Sequence, residues 1–325
     1  MAVQPKIFVT RPLPQPVMEL LKAHGEVELY PEDAPMPAEE LMQACRDVDG
    51  LLVVSNRVTE ELLSQAKQLK VISTPSVGYD NIDVAACTRR KIVVTNTVGM
   101  LEETTADLAF GLLLATARRL VEADRFARAG RWKYWQYNLL YGANVYQKTL
   151  GLIGFGKIGQ AMARRARGFA MRILYSTRHR VADEIERELG AAYVEKETLL
   201  QQSDFVSLHV PLTPETRHLI QARDLELMKP TAFLINTARG PVVDEEALVS
   251  ALKAKKLAGA GLDVFENEPR IHPDLLTMEQ VVLIPHLGSA TAETRLKMAM
   301  LAAQNLTAAL SGQRPPNVVN PEVYR

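Results

Sequence analysis

The feature that most constrains the fold of this chain is a glycine-rich turn between a strand-like and a helix-like segment. Residues 154–159 read Gly-Phe-Gly-Lys-Ile-Gly, which is the spacing G-x-G-x-x-G. The apolar run 149–153 before the turn predicts a buried strand, and the segment 159–168 after it predicts a helix. A glycine triplet in this strand–turn–helix context is typical of dinucleotide-binding α/β folds.

Each position of this turn has an expected role. Gly154 allows the tight turn, Gly156 lets the backbone approach a pyrophosphate, and Gly159 lets the helix pack closely on the strand. The start of the helix offers unpaired N–H groups and the positive end of its dipole to the phosphates. We therefore assign the turn to a dinucleotide, including Lys157 and Ile158 between the glycines. The alternative is a structural turn without a ligand.

The choice of dinucleotide depends on the end of the next strand, predicted over 171–175. A carboxylate about 20 residues after the glycines would bind the ribose 2′-hydroxyl of NAD. Here Ser176 follows the strand, Arg178 and Arg180 come next, and the first carboxylate is Asp183. Two guanidinium groups suit a 2′-phosphate. The sequence therefore predicts that NADP(H) is preferred and that NAD(H) is possible, the alternative being a solvated basic loop that accepts either.

Strand-like and helix-like segments alternate along both halves of the chain, which predicts an α/β protein with parallel sheets. We expect two Rossmann-like, doubly wound parallel-sheet domains. A single long helix is predicted over 104–129, at the boundary between them. The final helix, 291–311, has no strand of its own and should return to the first domain. The substrate domain is then discontinuous, comprising 1–100 and 288–325, and the dinucleotide-binding domain covers 101–287.

Composition excludes several classes of protein. The 38 basic residues balance the 38 acidic ones, so the charge of a general nucleic-acid binder is missing, although a local basic patch stays possible. No apolar run approaches the roughly 18 residues of a membrane span. The N-terminal residues do not resemble a signal peptide. Cys45 and Cys87 have no metal-ligand spacing, so we expect no metal site and a cytoplasmic protein without nucleic-acid or membrane partners.

Three polar residues follow three further predicted strands. Arg239, Glu268 and His286 each come shortly after a strand, at the edge where parallel sheets bind ligands. The arginine would hold the carboxylate of a 2-keto acid and polarise its carbonyl group. The histidine would donate the proton that the new alkoxide needs, and the glutamate would hold its tautomer and favour its protonated form. His209 is a further candidate for the cofactor cleft, but its local sequence contains no acidic partner.

These motifs, taken together, resemble the D-isomer-specific 2-hydroxyacid dehydrogenase family, and most closely its glyoxylate/hydroxypyruvate reductases. The similarity extends over the full chain. It rests on the glycine turn and on the segments 76–81, 104–109, 203–205, 236–245, 260–264 and 286–291. The resemblance implies NAD(P)H-dependent reduction of a small 2-keto acid to the D-2-hydroxy acid, closure of the two domains over the ligand, and a homodimer.

The resemblance also implies roles for further residues. The backbone N–H groups of Val77 and Gly78 would bind the substrate carboxylate, and Ser289 would lie beside the substrate. The remaining residues are expected at the cofactor, with the first two near the nicotinamide: Thr105, Asp263, Pro211, Thr237, Ala238 and Gly288. Many family members carry aspartate where this chain has Ser176, which agrees with the NADP(H) prediction.

An aromatic segment, 132–141, contains both tryptophans and suggests a loop that covers a site, in this subunit or its neighbour. The alternative is aromatic packing on its own domain. Together with Leu52 and Met100 this loop would set the pocket volume, which sequence does not reveal. A 2-ketogluconate reductase, or a phosphoglycerate, phosphite or formate dehydrogenase, therefore stays an alternative. A nucleotide-sensing corepressor of the C-terminal-binding-protein type is a remoter one, since long flexible tails are not seen.

Overall fold

The computed structural model describes residues 4–325, which form two parallel sheets and their covering helices. The strands are β1 Lys6–Val9, β2 Glu26–Leu29, β3 Gly50–Leu52, β4 Val71–Ser73, β5 Val93–Thr95, β6 Thr149–Ile153, β7 Arg172–Ser176, β8 Ala191–Tyr193, β9 Phe205–Leu208, β10 Phe233–Asn236, β11 Gly259–Leu262 and β12 Val281–Leu283. The helices are α1 Gln15–His24, α2 Ala38–Ala44, α3 Glu60–Gln65, α4 Val84–Arg89, α5 Glu102–Ala117, α6 Leu120–Arg128, α7 Lys157–Arg167, α8 Asp183–Leu189, α9 Lys196–Gln202, α10 Ala222–Leu227, α11 Glu245–Lys253 and α12 Ala292–Leu310. The predicted α/β class is confirmed.

The described chain divides into two compact units. Unit 1 combines residues 4–101 with Ala290–Arg325, and unit 2 is Glu102–Ser289. In unit 1 the strand order is β2-β1-β3-β4-β5, with all pairs parallel. The final helix, α12, packs on this sheet through Ala302 and Leu306, and the Ser73 hydroxyl donates a hydrogen bond to the Ala302 carbonyl over 2.8 Å. Chain ends far apart in sequence thus share one core.

Unit 2 contains a seven-stranded parallel sheet in the order β12-β11-β10-β9-β6-β7-β8. Along β6, Leu150 and Leu152 belong to the core under α5 and α7, whereas Ile153 belongs to the core under α9, α10 and α11. Both faces are covered, which explains why these strands are apolar without interruption. Strand order reverses between β6 and β9, and ligands of such sheets bind outside the carboxyl ends of the strands at this point.

The single helix predicted over 104–129 is wrong. Helix α5 ends at Ala117, and α6 begins at Leu120 after Arg119 adopts the left-handed conformation, with φ of 53°. The Ala117 carbonyl accepts a hydrogen bond from the Ala143 N–H (2.8 Å) and so does not continue the helix, while the Arg119 side chain binds Glu122. A tertiary contact therefore ends a helix that the residues alone would continue.

Five short elements of the structure were not predicted from the sequence, and none is longer than 7 residues: α4, α9, α10, β5 and β8. Segments of this length show too little periodicity to be recognised. Within residues 4–325 every helix is too short or too polar to cross a bilayer. In the same range no three His, Cys, Asp or Glu side chains are grouped so that they could bind a metal ion.

Candidate active site

The glycine turn joins β6 to α7 at the switch point of the sheet in unit 2. Gly154 has φ of +92°, and a Cβ atom there would collide with the carbonyl oxygen of His209. A Cβ atom at Gly159 would collide with the Gly154 carbonyl oxygen. Packing within the protein therefore requires both glycines.

Gly156 is different, because nothing in the protein requires it. Its φ of −72° suits any residue, and a Cβ atom there would meet no protein atom within 4 Å. The space lies directly before the first turn of α7, whose N–H groups have no carbonyl partner within the helix. A side chain at position 156 would fill this space, which as it stands can accommodate a pyrophosphate close to the backbone.

The turn after β7 carries the residues predicted to select the cofactor. Ser176 is half-buried at the strand end, and Arg178 is exposed. Arg180, in contrast, forms an ion pair with Glu186 of α8, with 2.6 Å between Nη2 and Oε2. This arginine and the Tyr175 hydroxyl lower the pKa of Glu186 to about 2. Arg180 therefore already has a carboxylate partner, and binding of a phosphate by both guanidinium groups stays a prediction.

Arg239, Glu268 and His286 follow β10, β11 and β12, which are adjacent in the sheet. Their loops therefore leave the same edge of unit 2. Asn236, the last residue of β10, shapes the first loop: its amide oxygen accepts from the Ala238 N–H and its amide nitrogen donates to the Arg239 carbonyl, both over 3.0 Å. The sequence analysis gave no role to Asn236, although asparagine at a strand end is a known turn signal.

His286 and Glu268 form a hydrogen-bonded pair, with 2.9 Å between Nδ1 and Oε2. The other carboxylate oxygen of Glu268 accepts from the Phe265 N–H at 3.0 Å, which fixes the plane of the carboxylate. Burial opposes ionisation of Glu268, but the hydrogen bond from His286 and the charges of His286 and Arg239 outweigh it and lower its pKa. An ionised carboxylate only accepts, so Nδ1 carries a hydrogen and Nε2 is left for a ligand.

The backbone of His286 is strained. Its φ is 53°, a conformation that costs a residue other than glycine about 1–3 kcal/mol. Asp263 holds it there, because its carbonyl accepts the His286 N–H at 2.8 Å and its Oδ1 accepts the Leu287 N–H at 2.6 Å. Strain maintained by surrounding contacts is common at functional sites. The His286 side chain is 49% exposed, so its ring is accessible.

His209 does not compete with His286 as an acid. Burial lowers the pKa of its ring to about 4, so the ring is neutral near pH 7. Its Nε2 is 2.9 Å from the Ser207 hydroxyl, and its backbone N–H donates to the Ile153 carbonyl. The residue therefore belongs to the packing around the glycine turn.

Two buried polar atoms at this edge lack a partner. Among residues 102–289, the Oγ1 of Thr237 and the Oδ2 of Asp263 are the buried side-chain polar atoms without a hydrogen bond. Burial raises the pKa of Asp263 even though the Leu287 and Gly288 N–H groups and the charge of His286 oppose the shift. A Cβ atom at Gly288 would be 3.4 Å from Asp263 Oδ2 and 3.5 Å from Thr105 Cγ2. Orphaned buried atoms are rare in proteins, and the polar end of a dinucleotide would satisfy these two.

The other predicted site residues lie as follows. In unit 2, Lys157 and Pro211 are exposed, and the half-buried residues are Ile158, Ala238, Arg239 and Ser289. In unit 1, Val77 and Gly78 lie in the loop after β4. Asn96 donates to the Val77 carbonyl at 2.9 Å, and the Ser76 hydroxyl donates to the Gly78 carbonyl. The two carbonyls are thus taken by unit 1, which leaves the N–H groups as backbone donors.

Comparison with known proteins agrees with the family resemblance seen in the sequence, over the full length of the chain. Residues 110–288 match the family model described as D-isomer specific 2-hydroxyacid dehydrogenase, NAD binding domain. A glyoxylate reductase from Thermococcus litoralis is 51% identical over 326 residues, covering 99% of this chain and 98% of that protein. The chain belongs to the D-isomer-specific 2-hydroxyacid dehydrogenase family.

Solved structures of the family superimpose closely on the whole chain. A protein from Thermus thermophilus is 45% identical with a TM-score of 0.90, covering 97% of this chain and 99% of that one. An NADPH-dependent glyoxylate/hydroxypyruvate reductase from Sinorhizobium meliloti, in complex with NADP and malonate, is 36% identical with a TM-score of 0.87, covering 98% of each chain. The dehydrogenase fold and an NAD(P)-binding domain are therefore established for this chain, and the predicted family is confirmed.

Proposed function

We propose that this dehydrogenase reduces glyoxylate to glycolate and hydroxypyruvate to D-glycerate. The observation that carries the proposal is the His286–Glu268 pair, which shares a sheet edge with Arg239 and with the orphaned Asp263 oxygen. The names of the relatives at about half identity support the substrate class.

Each residue of the trio has a distinct task in this proposal. The Arg239 guanidinium binds the substrate carboxylate and polarises the carbonyl group. Bound reduced nicotinamide supplies the hydride that the carbonyl carbon accepts. His286 donates its Nε2 proton to the carbonyl oxygen, so the alkoxide never accumulates. Glu268 keeps the hydrogen on Nδ1, and the exposed ring regains its proton from water.

The cofactor is held from two ends. Gly156, Lys157 and Ile158 would bind the pyrophosphate through the start of α7. Thr105, Thr237, Asp263 and Gly288 would surround the nicotinamide end, where the two unpartnered oxygens lie. Pro211 and Ala238 would line the space between, and Ser289 would contact the substrate beside Val77 and Gly78.

We propose NADP(H) as the preferred cofactor, with NAD(H) accepted more weakly. Because Arg180 already binds Glu186, Arg178 is the guanidinium that is available to a 2′-phosphate without breaking an ion pair. We expect Arg178→Ala to raise the KM for NADPH by about tenfold, as lost charged hydrogen bonds typically do, and to leave the KM for NADH nearly unchanged. Arg180→Ala should act in the same direction more weakly.

Initial-rate kinetics with both cofactors measure this effect. Arg187→Ala, which removes an exposed arginine from the adjacent α8, is the matched control. Equal changes in the two KM values would refute the assignment of Arg178.

Oxidation of NADPH with a panel of 2-keto acids tests the function itself. We expect kcat/KM for glyoxylate to exceed that for pyruvate by about tenfold or more, the discrimination that one methyl group provides. Hydroxypyruvate should also be preferred to pyruvate, because a site that hydrogen-bonds a substrate hydroxyl group discriminates against the analogue that lacks it. A maximum for 2-ketogluconate would favour the alternative reductase. Binding of NADPH with no turnover of any 2-keto acid would favour the corepressor.

We also propose that the enzyme is a cytoplasmic homodimer. The segment after α6 exposes large aromatic side chains, with Trp135 at 75% and Tyr137 at 77%. Leu120 and Val121 of α6 are exposed as well. Apolar surface of this extent is typical of protein–protein interfaces, and a second copy would cover it.

A further inference from the structure

A second pair of carboxylates lies beside the proposed catalytic pair and has no part in the chemistry described above. Glu245, the first residue of α11, and Glu266, in the loop after β11, are 8% and 17% exposed, the second figure for the side chain alone. Each carboxylate accepts the backbone N–H of the other residue: the Glu266 N–H donates to Glu245 at 3.1 Å, and the Glu245 N–H donates to Glu266 at 3.3 Å. Burying two acids is costly unless every oxygen is satisfied.

A histidine and an arginine complete this cluster. The other oxygen of Glu266 is 2.7 Å from Nε2 of His218 and 3.5 Å from the Arg217 guanidinium. The position of His218 is itself fixed, because its backbone N–H donates a hydrogen bond to the Pro241 carbonyl at 2.8 Å. Through Glu266, the loop after β11 is therefore joined to two other segments of unit 2.

The backbone beside this cluster touches both of the loops that carry site residues. A Cβ atom at Gly240 would overlap the Phe265 carbonyl group, so the peptide that follows Arg239 lies directly against Phe265. The Phe265 N–H in turn donates to Glu268 Oε1. The Phe265–Glu266 segment is thus the physical link between Arg239 and the Glu268 carboxylate.

We propose that Glu266, with Glu245 as its partner, is a positioning residue for Glu268 and Arg239. Glu266 fixes the position of the Phe265 backbone, whose N–H group orients the Glu268 carboxylate. That carboxylate in turn orients the His286 ring. It also holds the Gly240 peptide in place, and this fixes the backbone position from which the Arg239 side chain extends. Misplacement of catalytic groups by about 1 Å can cost 10²-fold in rate. The inference rests on the proposed reduction of 2-keto acids.

The test compares three variants of the full enzyme. Glu266→Ala removes the contacts to the Glu245 N–H and His218, and Glu266→Gln keeps an oxygen acceptor of the same shape. Glu246→Ala is the matched control, because Glu246 is the next residue of α11, is 80% exposed and binds only the His272 ring at the surface. The measurements are kcat and KM for glyoxylate, the Kd for NADPH by fluorescence, the pH profile of kcat/KM, and Tm.

For Glu266→Ala we expect kcat to fall by about 10- to 100-fold while the Kd for NADPH stays within error. The alkaline limb of its pH profile should move to lower pH, because a misdirected carboxylate supports the protonated ring less well. Glu266→Gln should recover most of kcat, and Glu246→Ala should match the wild type in every measurement.

A folded Glu266→Ala with a lower Tm but wild-type kcat and pH profile would overturn the proposal, because Glu266 would then serve stability alone. If Glu266→Ala does not fold, Glu245→Ala provides the second test, since it removes the carboxylate that accepts the Glu266 N–H at 3.1 Å. Wild-type kcat and pH profile in that variant would likewise overturn the proposal. A wild-type enzyme inactive on every 2-keto acid would instead contradict the proposed function.

Discussion

His286→Ala is expected to lower kcat for glyoxylate reduction by about 10²–10⁴-fold, the usual contribution of a positioned general acid. Alanine removes the Nε2 proton that the developing alkoxide needs, and His209 cannot replace it, because its ring is neutral near pH 7. The change leaves the glycine turn in place, and the backbone N–H at position 286 can still donate to the Asp263 carbonyl. The variant should therefore bind NADPH with the wild-type Kd, measured by fluorescence titration, while stopped-flow or steady-state assays show the lost turnover.

The pH dependence of the wild-type enzyme gives an independent measurement of the same role. In the proposed mechanism, reduction requires a protonated His286 and an ionised Glu268. The pKa of Glu268 is lowered, so its carboxylate stays ionised from neutral pH well into the acid range. Reduction should therefore fade as the pH rises and the ring loses its proton, whereas oxidation of the alcohol, which needs the neutral ring, should increase. Near-normal turnover of His286→Ala, or identical pH profiles in both directions, would contradict this assignment.

Arg239→Ala is expected to raise the KM for glyoxylate and to lower kcat. A bidentate contact with a carboxylate comprises two charged hydrogen bonds of about 1.5–3 kcal/mol each, so kcat/KM should fall by about 10²–10⁴-fold. Both parameters should change, because the guanidinium contacts the substrate in the ground state and stabilises negative charge on the carbonyl oxygen in the transition state. The loss should be the same with NADPH and NADH.

Arg239→Lys separates charge from geometry. Lysine keeps the positive charge but not the planar fork, so its kcat/KM should lie between those of the wild type and the alanine variant. The exposed Arg187→Ala should leave both parameters unchanged. An increase in KM with an unchanged kcat would show that Arg239 only binds the substrate, and unaltered kinetics would remove it from the site.

The catalytic trio was predictable from sequence because parallel strands bring distant residues together by a simple rule. Arg239, Glu268 and His286 each follow a strand, and β10, β11 and β12 are neighbours, so their carboxyl ends meet at one edge. The glycine turn was predictable because its strand–turn–helix context is local, although the atom that requires glycine at position 154 is the His209 carbonyl oxygen after β9. Both patterns depend on local order along the chain.

Contacts between separate elements of the chain were not predictable in this way. The helix break at Arg119 depends on the Ala143 N–H, and Arg180, after β7, forms an ion pair with Glu186 of α8. The reciprocal bonds of Glu245 and Glu266, 21 residues apart, carry no motif at all. Each arose where a polar group that becomes buried needed a partner from another segment.

For this chain, the sequence alone determined the family, the doubly wound sheet and the three residues proposed to do the chemistry, because strand–turn–helix order and the type of residue after each strand are local properties. Only the tertiary structure decided that Arg180 pairs with Glu186, where the long helix ends, and that Glu245 and Glu266 bind each other's backbone N–H groups. Those outcomes depend on which buried donors and acceptors meet in space, and chain order does not encode that proximity.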